Sequence, residues 1–338
     1  MNQENKKKKH NRVKILLIIL TVLLVVLSAG YFYLQSKLNL INRTTPTAVI
    51  LPEEEYFEAD EDTTVDASKD TEVNPNDVVW PVDEDFMKDK DIINILLIGQ
   101  DRRPGEQRAR SDSMMIATIN KKNNTVSITS LMRDMYVQIP GYSDNRINAA
   151  YAFGGMELLD ATIEKNFLVH IDGNIEVDFN GFQKAIDKIG GVDISINAKE
   201  ADYLNKNGFT GLSEGTVYMD GKLALTYSRI RKVGNNDYER TERQRKVIST
   251  VFQKMKGLRF DEIIGVFDVI FPLVTTDLTN NELISLSYTI FLMNTGDIGT
   301  YRIPSDDSFT SAKIRGMSVL VPDLSVNREV LKDIIYGE

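Results

Sequence analysis

One stretch limits this chain more than any other: residues 13–34, VKILLIILTVLLVVLSAGYFYL, where only Lys14, at the edge, is charged. Twenty-two helical residues at about 1.5 Å each span roughly 33 Å, enough to cross the hydrocarbon core of a bilayer. Residues 1–14 carry six cations against one acid, Glu4. Positive charge stays on the cytoplasmic side, so the sequence predicts a single-pass anchor with a cytoplasmic N-terminus and everything after residue 34 outside. Tyr31 and Tyr33 fall where an outer interfacial aromatic belt belongs. A cleaved leader has an apolar core of only about 7–15 residues. A retained anchor is therefore expected, with SAG (28–30) a weak cleavage site.

Four segments follow: a cytoplasmic tail (1–12), a transmembrane anchor (13–34), an acidic extracytoplasmic linker (35–91) and an extracytoplasmic domain (92–338). Residues 42–91, of which 52–91 hold sixteen acids and three lysines, lack periodicity, as expected of a solvated spacer that an anionic lipid surface repels. Trp80 and Phe86 are expected to dock on the domain. The chain has no cysteine, which removes disulfides and thiol nucleophiles; an exported protein without disulfides suits a bacterium. Of the two histidines only His170 follows the apolar run, so neither a Ser-His-Asp triad nor a histidine-rich zinc site is expected, and His170 reads as structural. An exported, slightly acidic domain does not bind nucleic acid.

Hydrophobic patterning predicts an α/β domain. DIINILLIG (91–99) reads as a buried central strand, SMMIATI and TVSITSL as a hairpin around NKKNN, and MYVQIP, VDISI, TYRIP and SVLVP as further strands. Helical spacing covers 156–166, 179–190, 219–230, 237–257, 260–271, 279–294 and 327–337. Interleaved helices, strands and a hairpin imply a mixed central β-sheet with helices on both faces.

The acidic chain concentrates five arginines and two lysines in YSRIRKVGNNDYERTERQRKV (227–247). In the helix beginning there, Val247, Ile248, Val251, Phe252 and Met255 form an apolar stripe. Stepping back by fours from Ile248 reaches Gln244 and Arg240, which therefore point inward. A buried guanidinium needs an anion. An internal carboxylate would serve for one arginine. However, Arg229 and Arg231 end the preceding helix, Arg133 follows a strand and Arg110 precedes one. Several arginines at strand ends, where mixed sheets bind ligands, imply a pyrophosphate-like polyanion. Asp101 and Asp112 flank neighbouring strand ends, a carboxylate pair suited to Mg²⁺ or Mn²⁺. The bland alternatives are a turn cap at Asp112 and an Asp101 pair with Arg102 or Arg103.

From about Asn94 to Lys254 the chain resembles the LytR-CpsA-Psr family. The blocks are NILLIGQDRRPGE (94–106), RSDSMMIATIN (110–120), SLMRDMYVQIPGY (130–142), RINAAYAFGG (146–155), IDKIGGVDI (186–194), GLSEGTVYMDGKLALTYSRIR (211–231) and DYERTERQRKV (237–247). The resemblance implies a phosphotransferase that moves an anionic glycopolymer, of teichoic acid or capsular polysaccharide type, from an undecaprenyl-pyrophosphate carrier to a peptidoglycan hydroxyl. It matches Asp101 and Asp112 to metal-linked aspartates and Arg110 and Arg133 to phosphate contacts. Arg229, Arg231, Asp237, Arg240 and Gln244 match the pyrophosphate pocket. Asp101 is the expected proton acceptor, with Arg133 and Arg240 offsetting charge as the reaction proceeds. Met132 departs from the family's usual proline before the arginine. The apolar residues of 179–186 and 247–255 either line a lipid trough or form plain core. Two other functions fit the same residues: a polyprenyl pyrophosphate hydrolase, and a non-catalytic membrane-bound envelope regulator of transcription-attenuator type.

Overall fold

The computed structural model describes residues 28–44, 71–81, 88–100, 111–234, 237–293, 295 and 297–337, the side chains of 112, 260, 261 and 291 excepted. Residues 13–27, most of the apolar run, lie outside the described residues, as does Phe86. Residues 28–38 are helical, and no helix among the described residues is long and apolar enough to cross a membrane.

A seven-stranded mixed sheet organises the chain. Its order is Asn42–Arg43, Val274–Thr276, Gly173–Asp178, Ile92–Gln100, Ser111–Asn120, Thr125–Leu131, Gly299–Ile303. The expected hairpin is present: Ile92–Gln100, Ser111–Asn120 and Thr125–Leu131 are successively antiparallel. Gly173–Asp178 runs parallel to Ile92–Gln100, and Gly299–Ile303 parallel to Thr125–Leu131. Alternation along the strands sorts side chains between two faces. Leu96, Ile98, Met114 and Ile116 face the helices Ile147–Phe167 and Leu324–Tyr336, burying Phe153, Leu159, Ile163, Phe167, Leu331 and Ile335 in the main core. The other face places Ile119 and Val126 against the helix Asn280–Leu292. The first long helix starts earlier than its periodicity implied, because it kinks at Gly155, whose φ of 67° only glycine adopts freely.

A second core surrounds the hairpin Val192–Ile196/Gly215–Met219. The helices Phe179–Lys188, Ala198–Lys206 and Gly221–Ser228 enclose it with Val247 of the helix Asp237–Lys256. Gly221 has no room for a side chain: a Cβ there would stand 2.2 Å from the Gln183 carbonyl oxygen. The long helix therefore lies at the seam between this unit and the sheet.

Residues 35–91 are not spacer throughout. Leu38 and Ile41 are buried with Val274, Lys37 pairs with Asp268 at 2.7 Å, and Asn42–Arg43 extends the sheet. Thr71–Glu72 adds a parallel strand to Phe309–Ile314, which pairs with Met317–Pro322. Trp80 stacks on Tyr136 and donates to Asp144 at 3.1 Å. His170 is structural as expected, paired with Glu164 at 2.6 Å and Lys88 at 3.1 Å.

The Gly173–Asp178 strand sits deep in the sheet although it reads as polar, because each polar side chain has an internal partner. The Asn174 amide donates to both Asp160 and Asp277 at 2.7 Å. Burial, reinforced by Asp277, Glu164 and Glu157, pushes the Asp160 carboxyl up to about 8. A carboxyl raised by folding stabilises the fold while protonated. That contribution is complete below the ordinary carboxyl range and is lost as pH rises through about 8. Asp160→Asn keeps the acceptor for Asn174 and cannot ionise. It is expected to raise Tm at about pH 9 by more than at about pH 6; thermal melts at both values check this, and an equal or reversed gain contradicts it.

Candidate functional site

Asp237 opens the long helix and is fully buried (0% exposed). Arg240, one turn on and 2% exposed, pairs with it: Nη2 donates to Oδ2 at 2.9 Å, and Nε lies 2.8 Å from Oδ1 as an ion-pair contact. A charge-assisted bond of this kind is stronger than a neutral one. Arg133 Nε lies 3.5 Å from Asp237 Oδ2, and Arg231 Nε 3.8 Å from Oδ1. Asp134 extends the group, with Arg133 Nε and Arg146 Nε each 3.7 Å away. Burial pushes the Asp237 carboxyl above its ordinary value, while Arg240, Arg133 and Arg231 pull it back down.

Four guanidiniums and two buried carboxylates thus converge among the described residues, from four different segments. All four arginines make further contacts beyond these. The segment 101–110, which lies outside the described residues, holds four arginines against two acids in sequence. Among the described residues the cluster sets four guanidiniums against two carboxylates, a balance that suits an anion. The cleft on the other flank of the helix, about 410 Å³, has the opposite character. Glu200, Glu214, Glu239 and Glu242 line it with Arg243 and Lys246.

The remaining sequence candidates divide. Gln244 is half-buried and accepts from Ser113 Oγ at 3.1 Å, tying the helix to the hairpin. Arg229 does not join the buried cluster. It is exposed, its guanidinium 4.4 Å above the Phe179 ring, because it caps the Gly221–Ser228 helix on its outer side. Asp101 and Arg110 lie outside the described residues. The backbone of Asp112 is described: Gln100 pairs with Ser111 and Gly99 with Ser113, leaving residue 112 as the extra residue of a β-bulge. Bulges re-aim a side chain and are enriched beside functional sites. A buried chain fixes the strand end that leads into Asp101: Gln100 Nε2 donates to Tyr151 at 2.9 Å, and Tyr151 donates to Glu176.

Sequence reasoning missed Arg146, whose inward turn no periodicity signals, and the burial of Arg243 and Arg245 beside Arg240. Arg243 is structural. It binds Glu200 at 2.7 Å, Glu239 at 2.8 Å and the carbonyls of Ile230 and Val233 at 2.9 and 3.0 Å. Arg243→Ala strands the buried Glu200 and is expected to cost about 3–5 kcal/mol of stability; urea unfolding checks this, and a loss below about 1 kcal/mol contradicts it.

Met132, where the sequence motif departs from expectation, is buried, and its N–H bonds to Ile303 O at 2.9 Å. A proline there could not donate this bond.

Comparison with known proteins adds four findings. The LytR_cpsA_psr family model matches residues 53–333. The polyisoprenyl-teichoic acid–peptidoglycan teichoic acid transferase TagU of Bacillus mycoides (strain KBAB4) is 37% identical over 221 residues, 63% of this chain and 69% of that one. Regulatory protein MsrR of Staphylococcus aureus (strain COL) is 30% identical over 245 residues, 72% and 74% of the two chains. Among solved structures, the LytR-CPS2A-psr family protein YwtF (TagT) with bound octaprenyl pyrophosphate lipid superposes with a TM-score of 0.57 at 25% identity, covering 75% of this chain and 94% of that one.

Proposed function

Because the chain belongs to the LytR-CpsA-Psr family, we propose that it transfers an anionic glycopolymer from a polyprenyl-pyrophosphate carrier to a hydroxyl of peptidoglycan. The observation that carries this is the buried cationic cluster of Arg133, Arg146, Arg231 and Arg240 around Asp134 and Asp237. The teichoic acid transferase name of the Bacillus relative and the pyrophosphate lipid in the solved structure support the same substrate class.

In this mechanism the diphosphate sits among Arg133, Arg231 and Arg240. The acceptor hydroxyl attacks the phosphorus that bears the glycan. A new oxygen–phosphorus bond forms, the bond to the bridging oxygen breaks, and polyprenyl phosphate leaves with that oxygen. Guanidiniums already in place offset the negative charge that develops on the bridging and equatorial oxygens. Asp237 holds Arg240 in place through the Nη2–Oδ2 bond. Asp101, which follows the strand end fixed by Gln100, is the proposed acceptor of the hydroxyl proton.

A divalent cation, Mg²⁺ or Mn²⁺, is proposed at Asp101 and Asp112. The bulge at residue 112 lies opposite the strand end that precedes residue 101, a placement compatible with two carboxylates sharing a hard cation. Such an ion would neutralise phosphate oxygens. The anchor at 13–34 would keep the enzyme and its lipid substrate on one membrane surface, with the domain extracytoplasmic.

The test uses the full chain in proteoliposomes with Mg²⁺, a polyprenyl-pyrophosphate glycan and peptidoglycan. Polyprenyl phosphate and peptidoglycan-linked glycan are the expected products, and Arg133→Ala is expected to lower turnover by about a hundredfold or more. Free phosphorylated glycan would establish hydrolysis instead. The regulatory name of the staphylococcal relative favours a second reading, a non-catalytic envelope regulator, which absence of any product would support.

A further inference from the structure

Arg245 stands five residues beyond Arg240 on the same helix, about 7.5 Å along the axis and roughly 140° around it. It is 9% exposed, yet its Nε and Nη1 have no hydrogen-bond partner among the described residues. Among the described residues no ion pair reaches it either. Glu242, one turn earlier, is exposed to solvent and makes no hydrogen bond to it. Arg302, on the edge strand Gly299–Ile303, brings a second positive charge near it; burial pulls Arg245 down to about 10, against an upward pull from Glu242 and with a lesser downward one from Arg302. Arg302 is itself well placed. Its guanidinium lies 4.5 Å above the Tyr238 ring, its Nε donates to Pro304 O at 3.2 Å, and it pairs with the exposed Asp306.

Hydroxyls complete the group. Ser130 is the cross-strand partner of Arg302, so both occupy the sheet face turned to the long helix; Ser249 is one turn beyond Arg245. The Oγ atoms of both serines are buried without a partner among the described residues. Two guanidiniums and two hydroxyls, all donors, would converge just beneath the surface at the sheet's edge. A carboxylate offers two acceptor oxygens and a phosphate offers more, in a tetrahedral spread that matches donors arriving from a helix and a strand.

We propose that Arg245 and Arg302, with Ser130 and Ser249, form a second oxyanion subsite that binds a phosphate group along the anionic polymer, separate from the cluster around Asp237. The assignment to the polymer rests on the function proposed above; the anion subsite does not. One ligand with phosphates at successive repeats would reach both sites, which share a helix.

The full chain in detergent tests this directly. With the first site saturated by a short-chain isoprenyl pyrophosphate, inorganic phosphate is titrated calorimetrically. The parent is expected to bind it, Arg245→Leu to lose binding by about tenfold or more, and Arg302→Gln to weaken it also. Ser130→Ala, the smallest change, serves if Arg245→Leu fails to fold. No phosphate binding by the parent, or binding unchanged in all three variants, overturns the subsite. A second arm compares donors with and without phosphodiester repeats. Arg245→Leu is expected to raise the ratio of their KM values about tenfold. An unchanged ratio alongside lost phosphate binding overturns the polymer assignment and leaves a site for free phosphate. If the parent turns over neither donor, the proposed function fails while the titration still decides the subsite.

Discussion

The arrangement depends on one buried carboxylate. Asp237 opens a long helix, where the backbone's positive end already favours an acid, and it faces Arg240, Arg133 and Arg231 at the same time. Without it, the three guanidiniums would lose the carboxylate they share. With it, each of the three guanidiniums has a carboxylate oxygen at 2.8–3.8 Å. A site that is cationic before its ligand arrives carries electrostatic strain that an anion relieves, so affinity and preorganisation come from the same contacts.

Two cores must form before those contacts exist. Arg133 and Asp134 follow the strand Thr125–Leu131 and belong to the sheet with its main core. Arg231 follows the Gly221–Ser228 helix and belongs to the second core. The long helix bridges them: Val247 and Arg243 fix it to the second unit, and Gln244 to the hairpin. The site therefore lies on a seam, and its geometry is sensitive to how the two units pack. Gly221 illustrates this, since any side chain there would push two helices of the second unit apart.

Much of this was legible in the sequence, for stated reasons. The hairpin around residues 121–124 and the strand ending at Gln100 were readable because they are apolar and bounded by turn residues. Arg240 and Gln244 were placed inward by extending a stripe of period 3.6, and Arg240 is indeed buried. The same reasoning missed Arg243 and Arg245 because it assumed one buried face. A helix at a seam buries two or three, and periodicity then loses its contrast. Gly173–Asp178 was not among the expected strands; tertiary partners such as Asp160, Asp277 and Tyr151 make its polar side chains tolerable in a sheet. Arg229 went the other way, its spacing unable to show that Phe179 holds it at the surface.

The ends of the sheet give the site a direction. Residues 28–44 join the domain at one edge. Asn42 Nδ2 bonds to the Pro272 and Val274 carbonyls at 3.0 and 3.2 Å, and Asn280 bonds to Gln35 and Asn39 at 2.8 Å. Such a stem is clamped to the sheet rather than hinged. Gly299–Ile303, with Arg302, forms the opposite edge, six strand spacings away, about 29 Å. If the apolar run preceding the stem is the anchor, the membrane attachment and Arg302 lie at opposite edges of the sheet, with the Asp237 cluster at the strand ends between them. A polymer whose diphosphate is held at Asp237 and whose next phosphate is held at Arg245 would then be drawn away from the stem as it extends. That separation would leave the flank beside the stem for the lipid and the far edge for the polymer, so the two chemically unlike halves of the donor need not compete for one surface.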